Sequence, residues 1–308
     1  MATDRTTIIR GPGAALLGAL AIHDASGIAA EVETDTQDIP SSVSGLLNRI
    51  KTDQRGRVTL TPCGSVSAEL LTALFPHQTP SIGSSLFGSA DTPLTVHSVA
   101  GVKVLFHAAA LTGAPELILS PVATAFGQAE FTCLLAKGKG PADDSGLYTV
   151  SAATYASGGP DPAGIPAAHY TGEWGDLTIA DTLDGWRVQV EIAAEPVVTD
   201  SLGTVDMTLS GVTVRASCTP VGIAEAALLA ALPALSARGA SVLGSDDLVI
   251  SAANPGLTVT LKNAALMTGP LAWGSATLRA GQIGFVAHRA FADGVPGALY
   301  TVAQTAEA

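Results

Sequence analysis

The sequence predicts a mainly β fold, with two tandem copies of a β-sandwich or β-barrel domain, each carrying one flanking α-helix. Three observations predict this fold. Short segments alternate apolar and polar residues, each half contains one stretch with helical periodicity, and the second half repeats the order of the first. The domains are expected at residues 1–145 and 169–308, with a linker rich in glycine and proline at 146–168.

The strands are predicted from a period of two in the hydrophobic pattern. A strand packed against a core on one face alternates apolar and polar side chains, because successive side chains point to opposite faces. The clearest example is Trp186–Ile192, which reads Trp-Arg-Val-Gln-Val-Glu-Ile. The other predicted strands are Val102–His107, Gln128–Leu135, Val212–Arg215, Leu257–Lys262 and Gln282–His288. These segments indicate half-buried strands in both halves.

Two segments have helical periodicity, one in each half. They are Ser65–Phe75 and Ile223–Leu232, and a proline follows each of them closely. Ser65 or Ser67 is expected to cap the first helix, since a serine hydroxyl can accept a hydrogen bond from an amide of the first turn.

An internal repeat relates the two halves. Glycines, prolines and apolar positions recur in one order at an offset that falls from 158 to 154 residues, as small deletions would produce. The matched pairs include Thr61–Gly64 with Thr219–Gly222, Gly83 with Gly239, Gly127 with Gly281 and Phe131 with Phe285. Upstream, Ile28–Thr34 lies opposite Trp186–Ile192. We interpret the repeat as a duplication that covers nearly the whole chain.

The composition favours a protein that covers its surface with copies of itself. Apolar residues make up 47% of the 308 residues and charged residues only 14%, yet no segment is typical of a membrane span. An alanine-rich monomer is the alternative.

The formal charge of −12 disfavours direct binding to the phosphate backbone of a nucleic acid. The first residues lack the pattern of a secretory signal, so we expect a cytoplasmic protein with Cys63, Cys133 and Cys218 as small buried apolar residues.

The residues that carry chemistry in enzymes do not form a recognisable pattern. Gly11-Pro12-Gly13 lacks the third glycine of a dinucleotide loop and the lysine of a nucleotide loop, and no serine has the glycine spacing of a nucleophile elbow. His97 and His107 are ten residues apart and are interpreted as surface residues rather than zinc ligands. We therefore predict no enzymatic activity, no cofactor and no metal.

The order of several motifs resembles the tail-tube (major tail) proteins of long-tailed bacteriophages. The segments that carry the resemblance are Ile9–Gly13, Glu31–Thr34, Val58–Gly64, Leu74–Pro76, Ile82–Gly88 and Phe126–Phe131. The resemblance implies β-sandwich domains assembled as rings of six and stacked into a hollow tube, with two domains per chain and three chains per ring. It also implies a virion tail assembled in the host cytoplasm, with tape-measure, terminator and baseplate proteins as partners, passage of DNA, and no membrane.

A long loop is predicted at Asp35–Arg57, with a shorter counterpart at Pro196–Gly211 in the second half. In tube proteins such a loop reaches the next ring, so the resemblance implies stacking contacts here; a mobile surface loop is the alternative. The candidate stacking residues are Ser41, Ser42, Leu46, Leu47, Arg49, Ile50, Lys51 and Arg55.

Acidic residues at a spacing of two are candidates for the lining of the tube. A negative lumen would let DNA slide rather than adhere. The candidates are Glu31, Glu33, Asp35, Glu191 and Glu195. An ordinary solvated face of a strand is the alternative interpretation.

Three other functions remain open from the sequence. The first is another ring component of a phage tail or contractile device, such as a terminator or baseplate protein. The second is a lectin-like or adhesin-like binding module, which the lack of a signal and of clustered aromatic residues disfavours. The third is an enzyme with a cryptic site on a β scaffold.

Overall fold

The computed structural model confirms a mainly β protein. The residues that the structure describes are 13–43, 45–64, 67–98, 101–121, 124–140, 146–153, 168–221, 246–252, 256–268, 271–273, 278–289, 291–292 and 295–304. Among them are twenty-five strands and one helix. The segment Ile9–Pro12 and the predicted helix at Ile223–Leu232 lie outside the described residues.

The first half of the chain contains twelve strands and the helix. They are β1 (Gly13–Leu17), β2 (Leu20–Asp24), β3 (Ala29–Ser41), β4 (Gly45–Leu60), β5 (Pro62–Cys63), α1 (Ala68–Leu74), β6 (Leu94–Ser98), β7 (Val102–Phe106), β8 (Ala108–Gly113), β9 (Leu117–Leu119), β10 (Thr124–Phe126), β11 (Ala129–Leu134) and β12 (Tyr148–Ala152). We call these elements the first half of the chain.

The second half contains the remaining strands. They are β13 (Tyr170–Trp174), β14 (Leu177–Ile179), β15 (Asp181–Thr199), β16 (Gly203–Val221), β17 (Leu248–Ala252), β18 (Leu257–Leu261), β19 (Ala265–Thr268), β20 (Leu271–Trp273), β21 (Leu278–Ala280), β22 (Ile283–Val286), β23 (Phe291–Ala292), β24 (Val295–Pro296) and β25 (Tyr300–Gln304).

The two halves have the same strand order. One sheet of the first half runs β12-β7-β6-β1-β2-β5 and the other β3-β4-β11-β8, while the second half has β25-β18-β17-β13-β14 and β15-β16-β22-β19. The register repeats as well. Val58 of β4 pairs with Ala30 and Phe131, and Ala216 of β16 pairs with Val188 and Phe285, each at the offset that relates the repeats in the sequence.

The described residues do not divide into two separate cores. One contiguous apolar cluster includes Leu74 and Phe106 of the first half together with Trp186 and Tyr300 of the second. The division into domains at 1–145 and 169–308 stays a prediction. The segment 146–168 contains β12, which pairs with β7, so Tyr148–Ala152 belongs to a sheet of the first half rather than to a linker.

Alternation along the strands accounts for the sandwich-like packing. In β18 the side chains of Leu257, Val259 and Leu261 are buried, while the threonines between them are half-buried. Helix α1 begins where the Ser67 hydroxyl accepts a hydrogen bond from the Leu70 amide at 3.1 Å. Its buried leucines add to the same core, so one helix face extends the packing of the sheets.

Trp186 fits in the core only because a glycine faces it. A Cβ atom added at Gly172 would lie 2.2 Å from the Trp186 ring. At the corresponding positions of the first half, a smaller Ile28 stands in place of the tryptophan and Ala15 in place of the glycine. The Trp186 indole nitrogen is buried and has no hydrogen-bond partner among the described residues. Close packing rather than polar bonding therefore holds the ring.

We expect Gly172→Ala to lower the free energy of unfolding by about 1–3 kcal/mol, because the added methyl group overpacks the core. Chemical denaturation measures this change. Gly140→Ala is the control, since a Cβ atom there meets no atom within 4 Å. Combining Gly172→Ala with Trp186→Ile is expected to cost less than the two single changes added together, because the pair then resembles the first half. Additive costs would contradict this packing explanation.

The predicted loop at Asp35–Arg57 is wrong. These residues form most of a long antiparallel hairpin, β3–β4, whose turn follows Ser41. The predicted shorter counterpart is also wrong, because Pro196–Gly211 lies in an equivalent hairpin, β15–β16. The final pairs of the two hairpins are Ser41 with Gly45 and Thr199 with Gly203, at the same offset of 158 residues. We call β3–β4 the first long hairpin and β15–β16 the second long hairpin.

The alternation signal is missing from the outer part of the first long hairpin for a physical reason. Both faces of its strands are exposed to solvent, so neither face selects apolar residues. Backbone hydrogen bonds between β3 and β4 hold the hairpin, and they leave no periodic trace in the side chains.

Candidate functional site

The junction between the two halves is a strand added to the edge of a sheet. Strand β9 of the first half pairs with β15 of the second, so that the β9–β10 hairpin extends the sheet of the second half. The paired residues are Trp186 with Leu119, Arg187 with Ile118 and Val188 with Leu117. Main-chain pairing of this kind satisfies an otherwise open sheet edge.

Gly185 allows the chain of the first half to approach β15 closely. Its φ is +78°, and a Cβ atom there would lie 2.3 Å from the Leu119 carbonyl oxygen. The corresponding residue of the first half, Gly27, also has a positive φ, of +104°. A glycine with a positive φ thus lies two residues before Ala29 of β3 and two residues before Arg187 of β15.

The second long hairpin is held against the first half by its β16 strand. Both carboxylate oxygens of Asp53 accept hydrogen bonds from Thr204, one from the backbone amide at 3.0 Å and one from the hydroxyl at 2.7 Å. The Ser85 hydroxyl donates to Asp206 at 2.7 Å. The outer part of this hairpin is therefore fixed by polar contacts within one chain.

Backbone pairing reinforces the same contact. The Leu86 amide donates to the Met207 carbonyl at 2.8 Å, and the Leu209 amide donates to the Ser84 carbonyl at 2.9 Å. Leu86 and Met207 also pack against a small apolar cluster that includes Phe87 and Leu134. The segment at 83–87 thus acts as a short extra strand beside β16.

A third contact joins the end of α1 to β25. The Tyr300 hydroxyl donates to the Pro76 carbonyl, and the Leu299 amide donates to the Gln78 carbonyl at 2.7 Å. Burial raises the pKa of Tyr300 well above the usual range of a phenol, so its hydroxyl stays protonated and able to donate. The first half therefore covers three elements of the second: β15, β16 and β25.

The predicted stacking residues lie on the outer part of the first long hairpin. Ser41 ends β3 and Ser42 lies in the turn, and the others lie on β4: Leu46, Leu47, Arg49, Ile50, Lys51 and Arg55. Among the thirteen large apolar side chains that are exposed in the described part of the chain, five lie here: Ile39, Val43, Leu46, Leu47 and Ile50. This is the densest exposed apolar surface that the described residues form along one element.

Three polar side-chain contacts lie on the first long hairpin, two of them between its strands and one within β4. Arg49 donates to Asp38 at 2.5 Å and Arg55 donates to Glu33 at 2.9 Å, while Lys51 donates to the Gln54 side chain at 3.1 Å. The Arg49 guanidinium holds the pKa of Asp38 below its usual value. Because these pairs are solvent-exposed, each contributes little to stability, and their effect is to order the surface.

The predicted lumen acids lie on the outward face of the sheets. Glu31, Glu33 and Asp35 lie on β3 opposite Arg57, Arg55 and Asp53 respectively. Glu191 and Glu195 lie exposed on β15, and Glu191 accepts a hydrogen bond from Arg215 at 3.0 Å. Arg57 further pairs with Glu130. The face is therefore a mixed array of ion pairs, less negative than the sequence indicated.

The part of the chain that the structure describes contains no candidate metal site. No group of three or more histidine, cysteine, aspartate or glutamate side chains in this part could hold a metal ion. Cys63, Cys133 and Cys218 are free thiols, and burial raises the pKa of Cys218 to about 12. No helix in the same residues is long and apolar enough to span a membrane.

Comparison with known proteins does not assign the chain to a family. No protein-family model matches the sequence, and no curated protein matches it significantly.

Sequence reasoning missed the junction between the halves. Strand β9 is three residues long, too short for an alternation signal, and the segment at 83–87 has no strand pattern at all. One available signal was the pair of glycines Gly27 and Gly185, which stand at equivalent positions of the repeat. A glycine inside or beside a strand often marks a close approach of two backbones.

Proposed function

We propose that the chain is a structural subunit that polymerises into stacked rings, which form the hollow tail tube of a bacteriophage through which DNA passes. Three chains would form a ring with pseudo-sixfold symmetry. The tube would belong to the virion tail, be assembled in the host cytoplasm, and meet tape-measure, terminator and baseplate proteins. The chain would hold no cofactor and catalyse no reaction.

One observation carries the proposal. Two halves with the same strand order are joined head to tail, with a hairpin of one on the sheet edge of the other. A head-to-tail contact between equivalent units can be repeated indefinitely, and it yields a ring when the rotation between units closes. Each chain would then contribute two of the units around a ring.

Exposed apolar surface supports contacts between rings. The ends of both long hairpins expose apolar side chains in the same way: Ile39 and Val43 on the first, Val197 and Val198 on the second. Water is excluded from such surfaces when another copy covers them. We place the contact between rings at the turns of these two hairpins, beside the predicted stacking residues Ser41 and Ser42.

The outward polar face of the sheets supports a lumen. It carries Glu31, Glu33 and Asp35 on one half and Glu191 and Glu195 on the other, partly neutralised by arginines. A face that keeps more carboxylates than guanidinium groups repels a phosphate backbone weakly, while its ion pairs satisfy the arginines that would otherwise bind phosphate. DNA would pass along this face without adhering.

Electron microscopy of the purified protein at rising concentration tests the proposal. We expect rings and long hollow polymers of uniform width, since only a tube subunit produces them in the absence of partner proteins. A terminator or baseplate protein would give single rings, and a binding module would give isolated particles. Either of those results would contradict the tube function.

A further inference from the structure

The outer segment of β4, Gly45–Lys51, is exposed to solvent, whereas the equivalent segment of β16 is covered by other residues of the chain. The corresponding residues Gly203–Leu209 of β16 are all buried or half-buried, because Asp53 and the segment at 83–87 lie against them. Every residue of Gly45–Lys51 is exposed. Thr204 keeps 6% of its surface exposed and Leu46, which stands at the same position of the repeat, keeps 48%.

The edge strand of the first half also lacks its counterpart's partner. Strand β15 receives β9 at Trp186–Val188, whereas β3 is the terminal strand of its sheet among the described residues. The equivalent positions on β3 are Ala29 and Ala30, which follow Gly27 as Arg187 and Val188 follow Gly185. Both halves thus have the glycine that allows a hairpin to approach the edge strand. Within the described chain a hairpin pairs only with β15.

Strand β12 shows the same difference. Val302 of β25 is 6% exposed, beside the contact of Tyr300 with the end of α1. Val150 of β12 occupies the same position relative to its neighbour, pairing with Val104 as Val302 pairs with Val259, yet it is 53% exposed. The side of β12 that faces the core therefore becomes exposed to solvent at Val150.

A spare hairpin lies in the second half. Strands β20 and β21 pair with each other in the same register as β9 and β10, at an offset of 154 residues, and they pair with no other strand among the described residues. The second half thus contains a hairpin without a partner strand among the described residues. The three uncovered surfaces, which are Gly45–Lys51, the edge of β3 and Val150 of β12, are all in the first half.

We infer that the second half of one copy binds the first half of the next copy through the β20–β21 hairpin, which adds to the edge of β3 as β9–β10 adds to β15. The register transferred from the internal junction pairs Ala272 with Ala29 and Leu271 with Ala30. The same docking covers Val150 and the segment Gly45–Lys51. This inference rests on the proposal that the chain self-assembles, and it specifies the contact between subunits within one ring.

The contact is heterologous, since different surfaces of the two copies meet. Each copy offers one donor hairpin and one acceptor edge, so copies must join in one direction. An isologous dimer would instead pair β3 of one copy with β3 of another. The internal junction pairs β9 with β15, which are not equivalent strands, and so does not resemble that arrangement. The two arrangements are distinguishable by where cysteines cross-link.

Engineered cysteines test the register. Side chains directly opposite in neighbouring strands lie close enough for a disulfide after small adjustments. On a Cys63→Ser background, the double variant Ala29→Cys/Ala272→Cys is expected to shift on oxidation from a 30.8 kDa band to integer multiples of that mass. The remaining thiols, Cys133 and Cys218, are buried and should stay reduced. Arg187→Cys/Ile118→Cys is the positive control, which should close within a single chain.

Single variants separate the two arrangements. A mixture of Ala29→Cys chains with Ala272→Cys chains should give covalent dimers and nothing larger, and neither single variant alone should cross-link. Dimers of Ala29→Cys alone would overturn the heterologous contact. Ala29→Cys/Ala303→Cys, with its second cysteine on an exposed part of β25, should give no ladder.

Failure of this contact differs visibly from failure of the tube proposal. Tubes in the microscope without a covalent ladder, while the positive control closes, would overturn the contact and leave the tube function standing. A ladder without tubes would support the contact and contradict the tube function. The absence of both ladder and polymers at high concentration would overturn both.

Discussion

Shortening the second long hairpin is expected to lower the stability of the chain, whereas shortening the first is expected to prevent its assembly. The two hairpins are nevertheless equivalent in sequence position and register. In one variant Asn-Gly replaces residues 195–208, which joins the paired residues Ala194 and Leu209. In the matched variant Asn-Gly replaces residues 37–50 and joins Thr36 to Lys51, which are also paired. Asn-Gly suits a two-residue hairpin turn, so both variants keep the inner part of the hairpin.

The variant of the second long hairpin should lose about 3–5 kcal/mol of unfolding free energy. It removes both hydrogen bonds of Thr204 to Asp53, the bond between Ser85 and Asp206, and the backbone bond from Leu86 to Met207. Net contributions of about 1 kcal/mol per bond give this total. Asp53 loses its two hydrogen bonds from Thr204 and keeps the one from the Gln54 amide. Denaturation of the unassembled chain at low concentration measures the difference.

The variant of the first long hairpin should change the unfolding free energy by less than about 1 kcal/mol, because only exposed pairs such as Arg49 with Asp38 are lost. Its polymers should nevertheless disappear, since the exposed apolar residues that contact other copies are gone. Sedimentation and electron microscopy follow this loss. If this variant polymerised as the parent does, the hairpin would have no part in assembly, and equal destabilisation of both variants would contradict the internal junction.

The fold could be predicted from the sequence wherever a strand is buried on one face. Leu257–Leu261 and Val102–Phe106 alternate because one face of each touches the core. Ser67, which caps the helix, is one of the two serines expected there, because both precede apolar residues at helical spacing. The order of the repeat likewise follows from glycines and prolines at fixed offsets. The alternation and the helix cap are local features of the chain, and the repeat is visible as residues in the same order, so all three can be read from a single sequence.

The assembly surfaces could not be predicted, because they depend on pairings distant in the chain. The outer part of β4 has polar and apolar residues on both faces, which is typical of a loop as well as of a solvated hairpin. The pairing of β9 with β15 joins Leu117–Leu119 to residues nearly seventy positions later through main-chain atoms, which carry no side-chain signature. The candidate residues at 41–55 lie on the outer part of this hairpin, and their role in assembly stays a prediction.

Val150→Asp is expected to prevent assembly and to leave the single chain folded. In the free chain the new carboxylate can reach water, because Val150 is 53% exposed. In the proposed subunit contact the next copy covers this position, as the end of α1 lies against β25 beside Val302, and an unpaired carboxylate would then be buried. Burying a charge without a partner costs about 3 kcal/mol or more, which corresponds to an association constant about 100-fold weaker.

Ser151→Asp is the matched control for this change. Ser151 is the next residue of β12 and is also exposed, but its side chain points to the opposite face of the strand. Both variants carry the same added charge, so general repulsion between copies affects them equally. We expect Ser151→Asp to assemble nearly as well as the parent in sedimentation at rising concentration, whereas Val150→Asp stays a single chain. Equal assembly of the two variants would mean that the core-facing side of β12 stays open to solvent in the polymer.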